Sequence, residues 1–329
     1  MGDLLQRAWY RKTHPLALLL TPLGWLFCAL VWLRRRAYAH GLLQGERAPV
    51  PVLVVGNISV GGTGKTPFVI WLVDHLCREG WRPGIIIRGY GGGARRWPQQ
   101  VRHDSDPVTV GDEAVLLARR SGRPVAAGPD RLAAARALVS HRQCDIVVSD
   151  DGLQHYRLAR DVEFAVVDGT RRLGNGRCLP AGPLREPPGR LGEVDVVVAY
   201  GQPARGEFAM SYRPEPIRRI RDDNITRAPS PHRGVRVHGV AGIGDPERFF
   251  RMLSHLGFRV VPHAFPDHHA FVPGDLRFAP DLPVIMTEKD AVKCRHFAGD
   301  HMWYLPITAE PSPLLAKRLS LLLEDLRRG

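Results

Sequence analysis

The sequence predicts an α/β protein with a parallel-sheet domain, a second, smaller α/β domain and an N-terminal membrane-associated helix. Three observations carry this prediction. Short apolar runs alternate with segments of helical period along most of the chain, as in a parallel sheet covered on both faces. The run Val50–Val55 leads into Gly56-Asn-Ile-Ser-Val-Gly-Gly-Thr-Gly-Lys-Thr-Pro67, a glycine-rich turn before a helix. Finally, Pro15–Leu33 is nineteen residues without a charge.

That first stretch would form a helix about 28 Å long, close to the thickness of bilayer hydrocarbon. Arg7, Arg11 and Lys12 precede it and Arg34-Arg35-Arg36 follow it. A cleaved signal peptide is one reading, because Ala37-Tyr-Ala39 resembles a cleavage site; three arginines directly after the run oppose export. A membrane span, an interfacial anchor on a cytoplasmic face and a buried core helix are the others. The interfacial anchor fits both basic flanks, and Trp25 and Trp32 suit an interface. Residues 1–36 are assigned to this unit.

Residues 37–215 form the expected P-loop NTPase-like domain. In the 56–67 turn, glycines let successive N–H groups face phosphate oxygens, and the following helix adds the positive end of its dipole. Gly61, Gly62, Thr63 and Gly64 would cradle the phosphates, Lys65 would reach the β- and γ-phosphates, and Thr66 would ligate Mg²⁺. The usual pattern has glycine where this chain has Ser59. Pro83–Tyr90 reads as a second strand, with Arg88 at the end where ligands bind in such sheets. Gly111-Asp-Glu113 opens a helix, and Asp112 is placed as its N-cap, a sufficient structural reason for the residue. Pro124–Gly128 and Asp130–Leu138 follow as strand and helix. Asp145–Asp151 is a buried strand ending in Asp150-Asp151, carboxylates suited to a metal beside a phosphate loop. Further strands are expected at 163–169 and 194–200. Between them, the proline-rich loop 179–187 holds Arg185 and Glu186.

The polar stretch from about Met210 to Arg233 marks the boundary, and 216–329 form the smaller domain. Strands are expected at 235–242, 258–262 and 282–290, with helices at 245–256 and 312–327. His268 and His269 are adjacent, so in an extended segment they face opposite ways; substrate contact or catalysis suits them better than sharing a metal. Thr287-Glu-Lys-Asp290 is similar to a guanine-reading motif, but its spacing fails.

The net charge of +13 at 24% charged residues favours anionic partners, with arginine pairs scattered along the chain. No basic block interleaved with aromatics is present, so nucleic acid is not expected. Five widely spaced cysteines argue for a reducing compartment with no disulfide framework and no zinc knuckle.

The motifs taken together resemble the tetraacyldisaccharide 4′-kinase family, the lipid A 4′-kinases of Gram-negative bacteria. The shared stretches are 56–67, RGYGG at 88–92, GDE at 111–113, SDDGLQH at 149–155, LPAGPLREP at 179–187, DHHAF at 267–271 and TEKDAVK at 287–293. Ser59 agrees with the family pattern. The resemblance implies transfer of the ATP γ-phosphate to the 4′-hydroxyl of a lipid A disaccharide 1-phosphate, giving lipid IVA in lipopolysaccharide biosynthesis. It implies action at the cytoplasmic face of the inner membrane, from a cleft between two α/β/α domains joined by a β-ribbon. ATP and Mg²⁺ are the implied cofactors, and no obligate protein partner is implied. Asp112 and His268 would act on the acceptor hydroxyl together with Lys65 at the phosphates. Asp150, Asp151 and, as a carry-over, Glu186 would join Thr66 at the metal, while Asn57, Arg88 and Tyr90 would contact substrate.

Overall fold

The computed structural model describes residues 2–228 and 234–328. The polar boundary stretch therefore lies partly outside the described residues, at 229–233. Three helices open the chain: α1 (Gly2–Trp9), α2 (Pro15–Leu19) and α3 (Thr21–Ala39). Next come β1 (Val52–Gly56), α4 (Lys65–Arg78), β2 (Pro83–Ile87), β3 (Gln99–Val101), α5 (Pro107–Val110), α6 (Asp112–Ser121), β4 (Val125–Ala127), α7 (Arg131–Arg142), β5 (Ile146–Asp150), β6 (Val162–Asp168) and β7 (Val196–Tyr200). The second half comprises β8 (Phe208–Pro214), β9 (Ile217–Arg219), β10 (Thr226–Arg227), β11 (Arg236–Ala241), α8 (Pro246–His255), β12 (Arg259–Ala264), β13 (Val284–Thr287), α9 (Glu288–Cys294), β14 (Met302–Leu305), β15 (Ile307–Pro311) and α10 (Pro313–Arg328).

Among the described residues the larger sheet has nine strands in the order β15-β8-β7-β6-β1-β5-β2-β4-β3. Its centre is parallel, and β3 and β15 pair antiparallel at the edges. Side chains of β1 alternate between two cores, as strand geometry requires. Leu53 and Val55 pack with α4, α6 and α10; Val52 and Val54 pack with α7. β1 and β5 run side by side with Val55 opposite Asp150. Their carboxyl ends, where open α/β sheets bind ligands, thus bring the glycine-rich turn and the carboxylate pair together.

Among the described residues the smaller sheet has six strands in the order β10-β9-β14-β13-β11-β12. Phe249, Phe250 and Leu253 of α8 cover one face; Ala291 and Cys294 of α9 cover the other. Asp245 caps α8, accepting from the Arg248 N–H, with Pro246 at the first helical position.

Several expectations are corrected. The uncharged N-terminal stretch is not one helix. It breaks at Leu20, and α3 restarts with Pro22 in its first turn, where a missing N–H costs nothing. No described helix is long and apolar enough to cross a membrane. Asp112 is the first residue of α6 rather than its N-cap, which is Gly111. The 282–290 strand ends at Thr287 because its hydroxyl caps a short helix. The 216–329 unit also does not close on itself: β15 pairs with β8, and Leu315, Leu319 and Leu323 of α10 fill the larger core. One cysteine pair departs from the expected absence of disulfides. Cys28 of α3 is bonded to Cys178, with Cα atoms 6.1 Å apart across a separation of 150 residues. Cys77, Cys144 and Cys294 are free.

Candidate active site

The glycine-rich turn is built around Asn57, which is fully buried. Its side-chain N–H donates to Thr63 Oγ1 at 3.0 Å and to the Gly61 carbonyl at 3.4 Å. Its Oδ1 accepts from Lys65 Nζ at 3.2 Å. Asn57 therefore braces the loop and aims its lysine. Gly64 caps α4 with φ at 86°, a conformation that favours glycine. A Cβ there would fall 1.4 Å from the Tyr212 hydroxyl oxygen, so Gly64 has no substitute. Gly62 and Thr66 lie on the same turn and first helical residues, open to solvent to differing degrees.

The carboxylates at the end of β5 have opposite environments. Asp151 sits at φ 49°, outside the strand, and is ion-paired with Lys65 at 3.0 Å and with both Oδ atoms to Arg185 at 3.0 Å. Burial opposes its charge, yet Lys65 and Arg185 hold it well below the usual carboxylate range. Asp150 is 2% exposed, and its Oδ1 has no hydrogen-bond partner among the described residues. Burial first, then the charge of Glu113, pushes it up to about 7 against the pull of Lys65. Arg131 of α7, itself buried, fixes this corner by donating to Ser149 Oγ at 2.7 Å and to the Asp151 carbonyl at 3.0 Å.

An orphaned, desolvated carboxylate oxygen next to a glycine-rich turn suits a divalent cation. Among the described residues no cluster of three or more His, Cys, Asp or Glu could hold a metal alone. Asp150 and Asp151 are a carboxylate pair of the kind that commonly holds Mg²⁺ together with substrate phosphates. Glu186 is fully buried, and its oxygens are taken by Gln154 Nε2 at 2.6 Å and the Tyr156 hydroxyl, with Arg190 at 3.4 Å. Gln154 also donates to the Asn57 carbonyl at 3.1 Å, so Glu186 joins the glycine-rich turn through a hydrogen-bond chain. The proline-rich loop is pinned to the same turn: Arg185 N–H donates to the Ile58 carbonyl and Val60 N–H to the Pro183 carbonyl, both at 2.7 Å.

The smaller domain closes over this edge. His268, at φ 61°, places Nδ1 3.3 Å from Asp112 Oδ2, joining residues 156 apart in sequence. The Asp112 bond raises the pKa of His268 against burial and the nearby Lys289. Burial would raise Asp112, but the His268 bond, Lys289 and Lys293 leave it below its ordinary value. The Tyr90 ring lies 5.1 Å from the imidazole, whereas Arg88 is exposed. His269 turns away, as expected for a neighbour in the chain, and bonds Asp275 at 2.9 Å. Arg171–Asp245 at 3.1 Å and Arg248–Asp168 at 3.5 Å tie the two units together. The guanine-reading alternative finds no support, since Asp290 is spent on the Gly242 N–H and Thr287 within its own domain.

Sequence reasoning missed Arg131, Gln154 and Tyr156. Gln154 and Tyr156 stand close to the Asp-Asp-Gly turn, which is a usable signal; Arg131 is drawn in only by the packing of α7.

A sequence profile described as tetraacyldisaccharide-1-P 4′-kinase matches residues 16–324. The chain is 54% identical over 328 residues to the tetraacyldisaccharide 4′-kinase of Nitrosococcus oceani, covering 99% of this chain and 96% of that protein. It is 55% identical over 301 residues to the enzyme of that name from Alkalilimnicola ehrlichii, covering 91% and 90%. It is 48% identical over 327 residues to that from Pseudomonas aeruginosa, covering 99% and 98%. The crystal structure of the "apo" form of LpxK from Aquifex aeolicus in complex with ATP superposes with a TM-score of 0.76 at 26% identity, covering 93% of this chain and 99% of that one. Agreement that runs through both sheets and nearly from end to end means that the chain belongs to the tetraacyldisaccharide-1-P 4′-kinase family.

Proposed function

We propose that the protein transfers the γ-phosphoryl group of ATP to the 4′-hydroxyl of a tetraacyldisaccharide 1-phosphate, giving lipid IVA. The observation that carries this reading is the contact of Asp112 with His268 across the cleft, on the edge that holds the phosphate loop. A sugar hydroxyl is a weak nucleophile at neutral pH and needs a base. The hydroxyl oxygen attacks the γ-phosphorus, the bond to the β,γ-bridging oxygen breaks, and ADP leaves. The proton passes to the Asp112–His268 pair, with the imidazole orienting the carboxylate and sharing the charge.

Gly61, Gly62, Thr63 and Gly64 cradle the phosphates, and Lys65 meets the charge developing on them. Thr66, Asp150 and Asp151 are the residues that would hold Mg²⁺, with Glu186 supporting from behind Gln154. Bound there, Mg²⁺ would offset phosphate charge. Asn57 braces the loop, and Arg88 and Tyr90 reach toward substrate, Tyr90 against the His268 ring. Because His268 comes from the smaller domain, the base is complete only when the domains close, which limits wasteful ATP hydrolysis.

The lipid is met at a membrane surface on the cytoplasmic face of the inner membrane. Leu19, Leu23, Trp25, Leu26, Leu30 and Leu33 are exposed on α2 and α3, next to Arg34 and Arg36. Such a surface suits an interface of apolar chains and anionic headgroups.

The test is a phosphotransfer assay with purified protein, ATP, Mg²⁺ and the disaccharide 1-phosphate lipid in mixed micelles. Wild type should form the bisphosphorylated lipid. Asp112→Ala and His268→Ala should each lower kcat roughly 10²- to 10⁴-fold, the usual range for losing a general base. The KM for ATP should change little. The double variant should be scarcely worse than the poorer single one, because the pair acts as a unit. Wild-type turnover by His268→Ala would remove it from the mechanism, and no lipid product from the intact protein would refute the substrate.

A further inference from the structure

The corner between β13 and α9 carries more charge than a structural turn requires, and each side chain has a different destination. Thr287 caps the helix, accepting from the Asp290 N–H at 3.2 Å. Lys289 points into the cleft, 16% exposed. Its Nζ lies 3.0 Å from Glu113 Oε1, 3.4 Å from Asp267 Oδ1 and 3.3 Å from His268 Nε2. An ammonium has three donors and no acceptor. It can bond Nε2 only if that nitrogen keeps its lone pair, which puts the ring proton on Nδ1, facing Asp112 Oδ2 at 3.3 Å. We propose that Lys289 is a positioning residue for phosphotransfer: it selects the Nδ1–H tautomer of His268, opposes protonation of the ring, and ties that state to domain closure through Glu113. The proposal rests on the reading of Asp112 and His268 as the acceptor base.

The surroundings give the sign. From α6, Asp112 and Glu113 face the imidazole and the ammonium, and Asp267 flanks both from the loop after β12. Lys293 of α9 lies 4.0 Å from Asp112 but is held at 2.7 Å by Asp290, which Thr287 and the Gly242 N–H also engage. The ring of Tyr90 covers the remaining side. Among the described residues, Lys289 is thus the cation that touches His268 directly. Burial works against its charge, but Glu113, Asp112 and Asp267 keep it protonated. Without it, His268 loses a repelling cation and Asp112 loses an attracting one. Both then keep a proton to higher pH. The freed carboxylate of Glu113 pushes in the same direction.

The experiment is the pH dependence of kcat/KM for wild type, Lys289→Met and Lys289→Gln, with melting temperature and the KM for ATP measured alongside. Gln keeps an N–H donor and loses the charge, so each variant reads the effect by itself if the other fails to fold. The acid limb should move up by about one pH unit, the low end of the shifts that one close charge produces. Activity below the limb should fall about tenfold and recover at alkaline pH. An acid limb at the wild-type position, including a loss equal at all pH values, would overturn the proposal and leave Lys289 a strap between domains. His268→Ala and Asp112→Ala with wild-type rates in the same assay would instead refute the underlying base assignment.

Discussion

Asp150 has given up solvation without gaining a partner for its Oδ1, and its proton affinity records the cost. Its pKa lies near 7, above the ordinary carboxylate value, so the proton is held at mildly acidic pH and released above about 7. A divalent cation needs the released form. Thermal stabilisation by Mg²⁺ should therefore be weak at pH 6, grow through pH 7 and level off by pH 8. Asp150→Asn should abolish that rise. Equal Mg²⁺ shifts at pH 6 and pH 8 would show that the cation does not depend on this carboxyl. At this scale much was legible in the sequence. Lys65 and Asp150 stand in short motifs whose residue types point to phosphate and metal, whereas Asp112 reads locally as a helix cap and its pairing with His268 is suggested only by the family resemblance. Arg131 and the role of Lys289 were not legible, because their partners are 20 and 21 residues away on other elements.

The N-terminal helices are fastened by one face and bare on the other. Trp9 Nε1 donates to the Pro180 carbonyl at 2.9 Å, Gly24 packs against Ala181, and Cys28 is bonded to Cys178. All three contacts fall on the stretch 178–181, just before Arg185 and Glu186 at the phosphate loop. The exposed apolar residues of α2 and α3 and the glycine-rich turn are thus both tied to one proline-rich stretch. Burying a Leu side chain is worth about 1.5–3 kcal/mol. Leu26→Glu with Leu30→Glu should lower binding to anionic phospholipid vesicles at least about tenfold, and leave the KM for ATP unchanged. Undiminished sedimentation with vesicles would place the lipid contact elsewhere. Here the sequence showed apolar length but not the break at Leu20, since an uncharged run has no period to reveal which face is covered.

The larger core was legible because parallel strands buried on both faces read as continuous apolar runs. The end of the chain was not. Ile307–Pro311 joins the first sheet rather than the second, a choice made by a partner almost a hundred residues upstream and invisible to local pattern. Arg120 guards that junction. It bonds Glu215 at 2.6 Å, Thr308 Oγ1 at 3.2 Å and the Ile307 carbonyl at 3.3 Å, and pairs with Glu288 at 3.5 Å. Removing one member of such a network strands buried charge, at a typical cost of 3–5 kcal/mol. Arg120→Ala should destabilise the protein by at least about 3 kcal/mol in urea unfolding. A loss below about 1 kcal/mol would mean that Glu215 and Glu288 find other partners.

The chain leaves the larger domain at Pro214 and returns at Ile307, and these two residues face each other in one ladder. The smaller domain is thus an insert whose entry and exit are neighbours, about 5 Å apart in an antiparallel pair. Lys289 and His268 both belong to this insert, and they reach Glu113 and Asp112 of the larger domain at 3.0 Å and 3.3 Å. The Asp112–His268 contact is therefore a tie between the insert and the larger domain at a point far along the chain from that paired entry and exit.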